Sequence, residues 1–163
     1  MDFSDEKKRR IAFHEAGHAW MLWKEGLGVI SVSIEPRSPI QGDNRGETIP
    51  ELVMEESRKE LSKKFAKAAL TGSAAEHYLL GTWDDESLQA RAYDTGRAKD
   101  YLAMSRDDWK PEPLDHHVQT FSNSVMEEIS RPRVWHTITV LAYALLASET
   151  LSGKQVREIV SDS

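Results

Sequence analysis

Residues 11–20 read IAFHEAGHAW, a stretch in which two histidines lie four residues apart and a glutamate directly follows the first. Apolar and small side chains surround them, which predicts a largely buried helix. Side chains four residues apart share one helix face, so His14 and His18 can bind one zinc ion. Glu15 can then take a proton from a zinc-activated water that attacks a carbonyl. The alternative is a helix that carries His-Glu-x-x-His by chance.

Composition limits the other interpretations. A chain of 163 residues is most simply one compact domain spanning residues 1–163. The absence of cysteine leaves His, Asp and Glu as the ordinary metal ligands and favours a cytoplasmic protein. The formal net charge of −6 argues against nucleic acid as a partner. No signal peptide is evident, and no membrane span is expected, because the most apolar run, 134–147, is too short.

The remaining pattern predicts a mainly α (α+β) fold, a helical domain with a small β-hairpin or edge sheet after the first helix. The first helix is expected to run from near Ser4 to the glycines at 26–28. Gly72 is interpreted as a break between two later helices. Apolar periodicity and capping signals predict helices over 52–72, 73–80, 88–104, 115–130 and 132–148, and from Ser152 onward.

Two short strands are predicted between the first two helices. Residues 29–34 alternate apolar and polar side chains with period two, which predicts a strand with Ile30, Val32 and Ile34 facing inward. A weaker strand is expected around 47–49. If the first of these strands forms an exposed edge, an extended peptide can pair with it through backbone hydrogen bonds.

The motif also resembles that of a known family. His14-Glu15-Ala16-Gly17-His18-Ala19 resembles the zinc motif of the FtsH-type ATP-dependent proteases. Further segments resemble that family in the same order along the chain: VSIEPR at 32–37, LTGSAAE at 70–76 followed by Gly81, and SETL at 148–151. The resemblance covers nearly the whole chain and implies a helical zinc peptidase domain.

The resemblance also implies a third ligand. In the family, an aspartate that opens a segment Asp-x-x-x-Ala-Thr completes the zinc site, and DTGRAK at 94–99 matches at the aspartate and the alanine. The implied metal ligands are therefore His14, His18 and Asp94, with Zn²⁺ as cofactor. Glu76 matches a residue of the preceding helix of the family, where we expect it to orient a ligand by hydrogen bonding. Without the resemblance, a solvated helical acid is the simpler interpretation of Asp94.

The other histidines and one tryptophan receive separate interpretations. His116 and His117 are expected at the surface, since adjacent helical residues point about 100° apart and make poor co-ligands. His136 lies in an apolar helix and is interpreted as a hydrogen-bonded core histidine. Trp83 precedes the helix that carries Asp94, which suggests that it borders a substrate cleft.

The chain departs from the family in one respect that bears on biology. FtsH-type proteases carry membrane helices and an ATPase module, whereas no Gly-x-x-x-x-Gly-Lys-Ser/Thr loop occurs in this sequence. We therefore expect a stand-alone zinc metalloendopeptidase that hydrolyses peptide bonds of unfolded or extended polypeptides, alone or fed by a separate ATPase. The resemblance implies a homo-oligomer, a hexameric ring in that family.

Two other functions remain open on the sequence. One is a catalytically silent, peptidase-like binding or assembly module with a structural metal, which the intact Glu15 disfavours because a structural site needs no base. The other is a metal-free helical adaptor, which requires the motif and Asp94 both to be accidental.

Overall fold

The computed structural model describes residues 3–36, 46–51, 57–105 and 113–163. Six helices and three short strands occupy these residues, and the predicted mainly α fold with a small sheet is confirmed. None of the helices in this part of the chain is both long and apolar enough to cross a membrane. In chain order the elements are α1 (Phe3–Lys24), β1 (Val29–Ser33), β2 (Glu47–Pro50), α2 (Arg58–Leu80), α3 (Asp85–Met104), α4 (Pro113–Ile129), α5 (Pro132–Ser148), β3 (Thr150–Ser152) and α6 (Gly153–Ser161).

Helix α1 is buried between α2 and α5, against which it makes its most extensive packing. Its apolar side chains, such as Phe13 and Met21, are almost completely buried. Gly17 allows α1 to approach α2 closely, because a Cβ at this position would lie 2.7 Å from the carbonyl oxygen of Thr71. The helix that carries the histidine motif is therefore in close backbone contact with α2.

Helix α2 runs without interruption from Arg58 to Leu80, so the predicted break at Gly72 was wrong. A glycine inside a helix costs only about 1 kcal/mol, and burial of most of this helix outweighs that cost. Ser57 caps the N-terminus, and Gly81, with φ of 69°, ends the helix as predicted. The part of the predicted helix at 52–56 lies outside the described residues.

The sheet is antiparallel with the order β2-β1-β3, so β1 lies in the centre. Val32 in β1 faces Thr48 of β2 on one side and Leu151 of β3 on the other. The hypothesis that a peptide pairs with an exposed edge at 29–34 was therefore wrong. Among the described residues, β2 and β3 are the outer strands of this sheet.

A register shift within β1 reverses one predicted orientation. Val32 and Ile34 are buried as predicted, but Ile30 is 56% exposed. The pairing with β2 passes from Val29 directly to Ser31, so Ile30 is an extra residue in the ladder. Such a bulge turns the extra side chain out of the alternating pattern.

The later helices follow the predicted order with two shifted starts, and α4 begins at Pro113 rather than at Asp115. Helix α3 begins at Asp85 rather than near residue 88, because Asp84 and Ser87 form a capping box. Helix α5 spans Pro132 to Ser148 as predicted. The predicted capping box of Ser152 and Gln155 opens α6.

Candidate metal centre

Three side chains from α1 and α3 converge on one point. The Nε2 atoms of His14 and His18 lie 3.1 Å apart. Asp94 places Oδ2 3.5 Å from Nε2 of His14 and Oδ1 3.7 Å from Nε2 of His18. Ligand atoms bound tetrahedrally to zinc at about 2.0 to 2.1 Å lie about 3.4 Å from one another. The spacing of these three groups therefore fits a single zinc ion.

The hydrogen bonds made by Nδ1 of His14 and His18 determine that Nε2 of each ring faces the point where the three side chains converge. Nδ1 of His18 lies 2.7 Å from the carbonyl oxygen of Ala68, to which only an N–H can donate. Nδ1 of His14 lies 3.3 Å from Oε2 of Glu76. When Nδ1 carries the hydrogen, the lone pair of a neutral imidazole is on Nε2, ready for a metal. Both rings are thus oriented with Nε2 toward Asp94.

Glu76 is itself held by an ionic network that begins in α1. Arg10 donates from Nε and Nη2 to Oε1 of Glu76 at 3.0 and 2.7 Å. The same guanidinium donates to both carboxylate oxygens of Asp84 at 2.9 Å. Burial raises the pKa of Glu76, but hydrogen bonds and charges from His14 and Arg10 outweigh this effect and lower it. Glu76 therefore accepts hydrogen bonds as a carboxylate, and Arg10 is a supporting residue that the sequence reasoning missed.

Asp94 is almost completely buried, at 1% exposure. Its Oδ2 atom accepts a hydrogen bond of 3.0 Å from the backbone N–H of Ser73 in α2. An unpaired carboxylate in such a site would be costly, so its partners must offset the lost hydration. This burial contradicts the interpretation of Asp94 as a solvated helical acid.

Gly72 provides the space in which the two imidazoles meet. A Cβ at this position would lie 2.3 Å from Nε2 of His18 and 2.8 Å from Nε2 of His14. Any side chain here would therefore enter the space between the candidate ligands. The glycine signal was visible in the sequence, but it was interpreted as a helix break.

Glu15 lies on the same helix as the histidines and is 5% exposed. The hydroxyl group of Thr48 in β2 donates to Oε2 of Glu15 at 2.7 Å. This hydrogen bond fixes the position of the carboxylate in the cleft that His14, His18 and Asp94 also line. Thr48 is a second supporting residue that the sequence reasoning missed, since it lies in a weakly predicted strand.

The electrostatics of the centre favour a cation. Burial lowers the pKa of His14, but the negative charges of Asp94, Glu76 and Glu15 outweigh it and raise the pKa to about 9. Burial, together with the nearby His14, lowers the pKa of His18. The carboxylates thus stabilise one positive charge at the histidine pair, the place where a divalent cation would be bound.

The centre lies in a cleft of about 820 Å³. Residues of α1, α2 and α3 form its walls, and residues 46–50, which include β2, line one side. Apolar groups such as Phe65 and Tyr101 line the cleft together with charged ones.

The remaining residues singled out in the sequence lie elsewhere. His116 and His117 are exposed as predicted, whereas His136 is exposed and the core interpretation was wrong, because it lies on the outward side of α5. Trp83 stacks on His77 with ring centroids 4.1 Å apart, and it is not among the described residues that line the cleft. The expectation that Trp83 borders the cleft was therefore wrong.

A family model and two relatives match this chain. The family model described as Peptidase family M41 matches residues 1–100. The chain is 27% identical, over 195 aligned positions, to the ATP-dependent zinc metalloprotease FtsH 2 of Methylacidiphilum infernorum (isolate V4), covering 96% of this chain and 29% of that protein. It is 39% identical over 88 positions to the ATP-dependent zinc metalloprotease FtsH 4 of Sorangium cellulosum (strain So ce56), covering 50% of this chain and 13% of that protein. The chain thus spans less than a third of the length of either relative.

Proposed function

Because the chain belongs to peptidase family M41, we propose that it is a zinc-dependent endopeptidase with Glu15 as general base. In this proposal His14, His18 and Asp94 hold Zn²⁺, and Glu76 orients His14. The observation that carries it is the convergence of these three groups, with separations from 3.1 to 3.7 Å, beside a buried glutamate. The zinc named in both relatives fits this set of nitrogen and oxygen ligands.

The chemistry follows from these positions. Bound Zn²⁺ would supply a Lewis acid that polarises the substrate carbonyl and makes water acidic near neutrality. Glu15 accepts a proton as the water oxygen attacks the carbonyl carbon. It then returns that proton to the amine nitrogen as the C–N bond breaks, which gives an amine and a carboxylic acid, and the acid releases the second proton of the water to become a carboxylate. Thr48 keeps Glu15 in position for both transfers.

The substrates we propose are unfolded or extended polypeptides, because the cleft is bounded by an outer strand. Among the described residues β2 pairs only with β1, and residues 46–50 line the cleft. An extended peptide that adds to the outer edge of β2 would present its backbone to the metal centre. Backbone hydrogen bonds do not discriminate between substrate side chains. We therefore propose that sequence selectivity comes from the side chains that form the walls of the cleft.

N-methylated peptides test the pairing with β2. Methylation of a substrate amide that bonds to β2 should raise KM about two- to tenfold, since one hydrogen bond contributes about 0.5 to 1.5 kcal/mol. Methylation of the next amide, which points away, is the matched control. Equal KM values for a full series of singly methylated peptides would contradict the pairing.

We also propose that residues 1–163 form one peptidase domain, since α4 packs on α2, and α6 packs on α5 and β1. The polypeptide substrate reaches it either already unfolded or from a separate ATPase, in keeping with the ATP dependence named in both relatives. We further propose that the chain assembles as a homo-oligomer. Sedimentation of the purified chain tests this assembly, and a strictly monomeric active enzyme would contradict the assembly.

The first experiment compares wild type with Glu15→Gln for cleavage of an unfolded, casein-like protein, with zinc and without ATP. Loss of the base should lower kcat about 10²- to 10⁴-fold while zinc content stays unchanged. Glu6→Gln is the matched control, an exposed glutamate on the same helix. Zinc-loaded wild type that is as inactive as Glu15→Gln on unfolded proteins would instead favour a binding or assembly module with a structural metal.

A further inference from the structure

A guanidinium group lines the cleft one helical turn beyond Asp94. Arg97 lies three residues after Asp94 in α3, so the two side chains share one face of the helix. Both residues line the cleft that holds the metal centre. Arg97 is half-buried, and its position along α3 is about 4.5 Å from that of Asp94 at the usual helical rise.

Two phenol rings hold this guanidinium in place. Its Cζ atom lies 5.9 Å from the ring centroid of Tyr93 and 6.0 Å from that of Tyr101. Nη2 also donates to the hydroxyl oxygen of Tyr101 at 3.3 Å. An arginine that lies near two rings and donates a hydrogen bond to one of them has less freedom to lose on binding a ligand, so Arg97 is pre-organised.

Arg97 differs from the other lysine and arginine side chains that line the cleft. Lys7 pairs with Glu86 at 3.8 Å, and Arg10 is bound by Glu76 and Asp84. Within the described part of the chain, no carboxylate forms an ion pair with Arg97. Four of its five N–H donors thus remain for a ligand or water.

We propose that Arg97 is a specificity-determining residue that binds a carboxylate of the substrate within about two residues of the cleaved bond. This inference rests on the proposed peptidase function. We place the carboxylate within about two residues of the cleaved bond because Arg97 and Asp94 are offset by about 4.5 Å along α3. An extended substrate chain advances about 3.3 Å per residue, so this offset corresponds to one or two substrate residues. A guanidinium fork matches a carboxylate in shape and charge, and the ligand is either an Asp or Glu side chain or the C-terminal carboxylate.

The test uses one neutral peptide with a single cleaved bond and variants with Glu or Gln at each of two positions on either side. A second series ends near the cleaved bond with a free or an amidated C-terminus. Wild type should prefer a carboxylate at one position by about tenfold to a hundredfold in kcat/KM. The series in which the preference occurs identifies the source of the carboxylate.

Variants of the protein separate binding from packing. Arg97→Gln should lower kcat/KM much more for the Glu peptide than for the Gln peptide and so remove the preference, and Arg97→Glu should favour a Lys peptide instead. Arg91→Gln is the matched control, because Arg91 also stacks on an aromatic ring, that of Trp83 at 4.8 Å, but does not line the cleft. Arg91→Gln should retain the preference of wild type.

Two results would overturn the inference while leaving the proposed function intact. One is equal kcat/KM for Glu and Gln peptides in wild type, and the other is an equal loss on both peptides in Arg97→Gln. If no peptide is cleaved at all, the proposed function fails, and binding of the same peptides to the zinc-loaded Glu15→Gln variant then tests Arg97. Equal affinity of that variant for Glu and Gln peptides would likewise overturn the inference.

Discussion

Gly72 controls how closely α2 approaches the histidine rings of α1. We predict that Gly72→Ala weakens zinc binding, because the added Cβ would lie 2.3 Å from Nε2 of His18. The same change should favour the helix itself by about 0.5 to 1 kcal/mol, since alanine has the higher helix propensity. Zinc titration and circular dichroism of the metal-free protein measure the two effects separately, and we expect weaker binding with helix content retained.

Gly96→Ala is the matched control for this prediction. Gly96 lies inside α3, and a Cβ there would meet no atom within 4 Å among the described residues. It should gain helix stability with unchanged zinc affinity. Unchanged zinc affinity in Gly72→Ala as well would mean that the rings relax without cost, and the spacing argument would then be wrong.

At the scale of elements, the start of α3 is tied to α1 through Asp84. Hydrogen bonds from the backbone N–H and side chain of Ser87 lower the pKa of Asp84 to about 2, and Arg10 adds to this effect. Because the pKa is lowered, the stabilisation is fully present above the ordinary value of about 4 and is lost as pH falls through about 2. The cap therefore works as a carboxylate throughout the neutral range.

We predict that Asp84→Ala lowers the free energy of unfolding of the metal-free protein by about 1 kcal/mol, the usual effect of losing an N-cap. Asp84→Ser keeps a capping oxygen and loses only the half-exposed ion pair with Arg10, so it should lose less. Urea unfolding at pH 7 and at pH 2 to 4 measures both. A loss in Asp84→Ser equal to that in Asp84→Ala would assign the effect to the ion pair instead of the cap.

The elements also show what the sequence can predict. Periodicity and capping signals predicted α5 and the start of α6, because these depend on neighbours within one turn. The same reasoning put Ile30 inside and left open that β1 forms an exposed edge. Both errors arise from pairing: a bulge shifts the register at Ile30, and β3 has only three residues, too few to show a period.

The candidate site likewise contains residues that the sequence predicts and residues that it does not. His14, Glu15 and His18 follow from the spacing within one helix, whereas Asp94 required the family resemblance. The supporting contacts of Arg10 with Glu76 and of Thr48 with Glu15 join residues 66 and 33 positions apart. Helical periodicity predicts which face of an element is apolar, but it does not predict which distant residue that face will contact.

At the scale of the whole molecule, the metal centre joins helices that already pack on one another. The proposed ligands come from α1 and α3, and α2 supports them through the carbonyl of Ala68 and the N–H of Ser73. A continuous apolar core runs through these helices and on to α4, α5 and α6. The fold therefore has a source of stability independent of zinc, unlike small domains that unfold without metal.

We predict that removing zinc with a chelator leaves the chain folded but lowers Tm. A ligand at a hundredfold excess over its Kd adds about 2.7 kcal/mol, which for a domain of this size corresponds to about 5 to 10 °C. Amide exchange should accelerate around His14 to His18 and Asp94 and stay unchanged in α6, which contributes no proposed ligand.

A His14→Ala variant should lose the response of Tm to zinc, whereas the exposed His116→Ala should keep it. Complete unfolding of the metal-free chain would instead make the metal a structural requirement of the fold, and an unchanged Tm would argue against zinc binding at this centre.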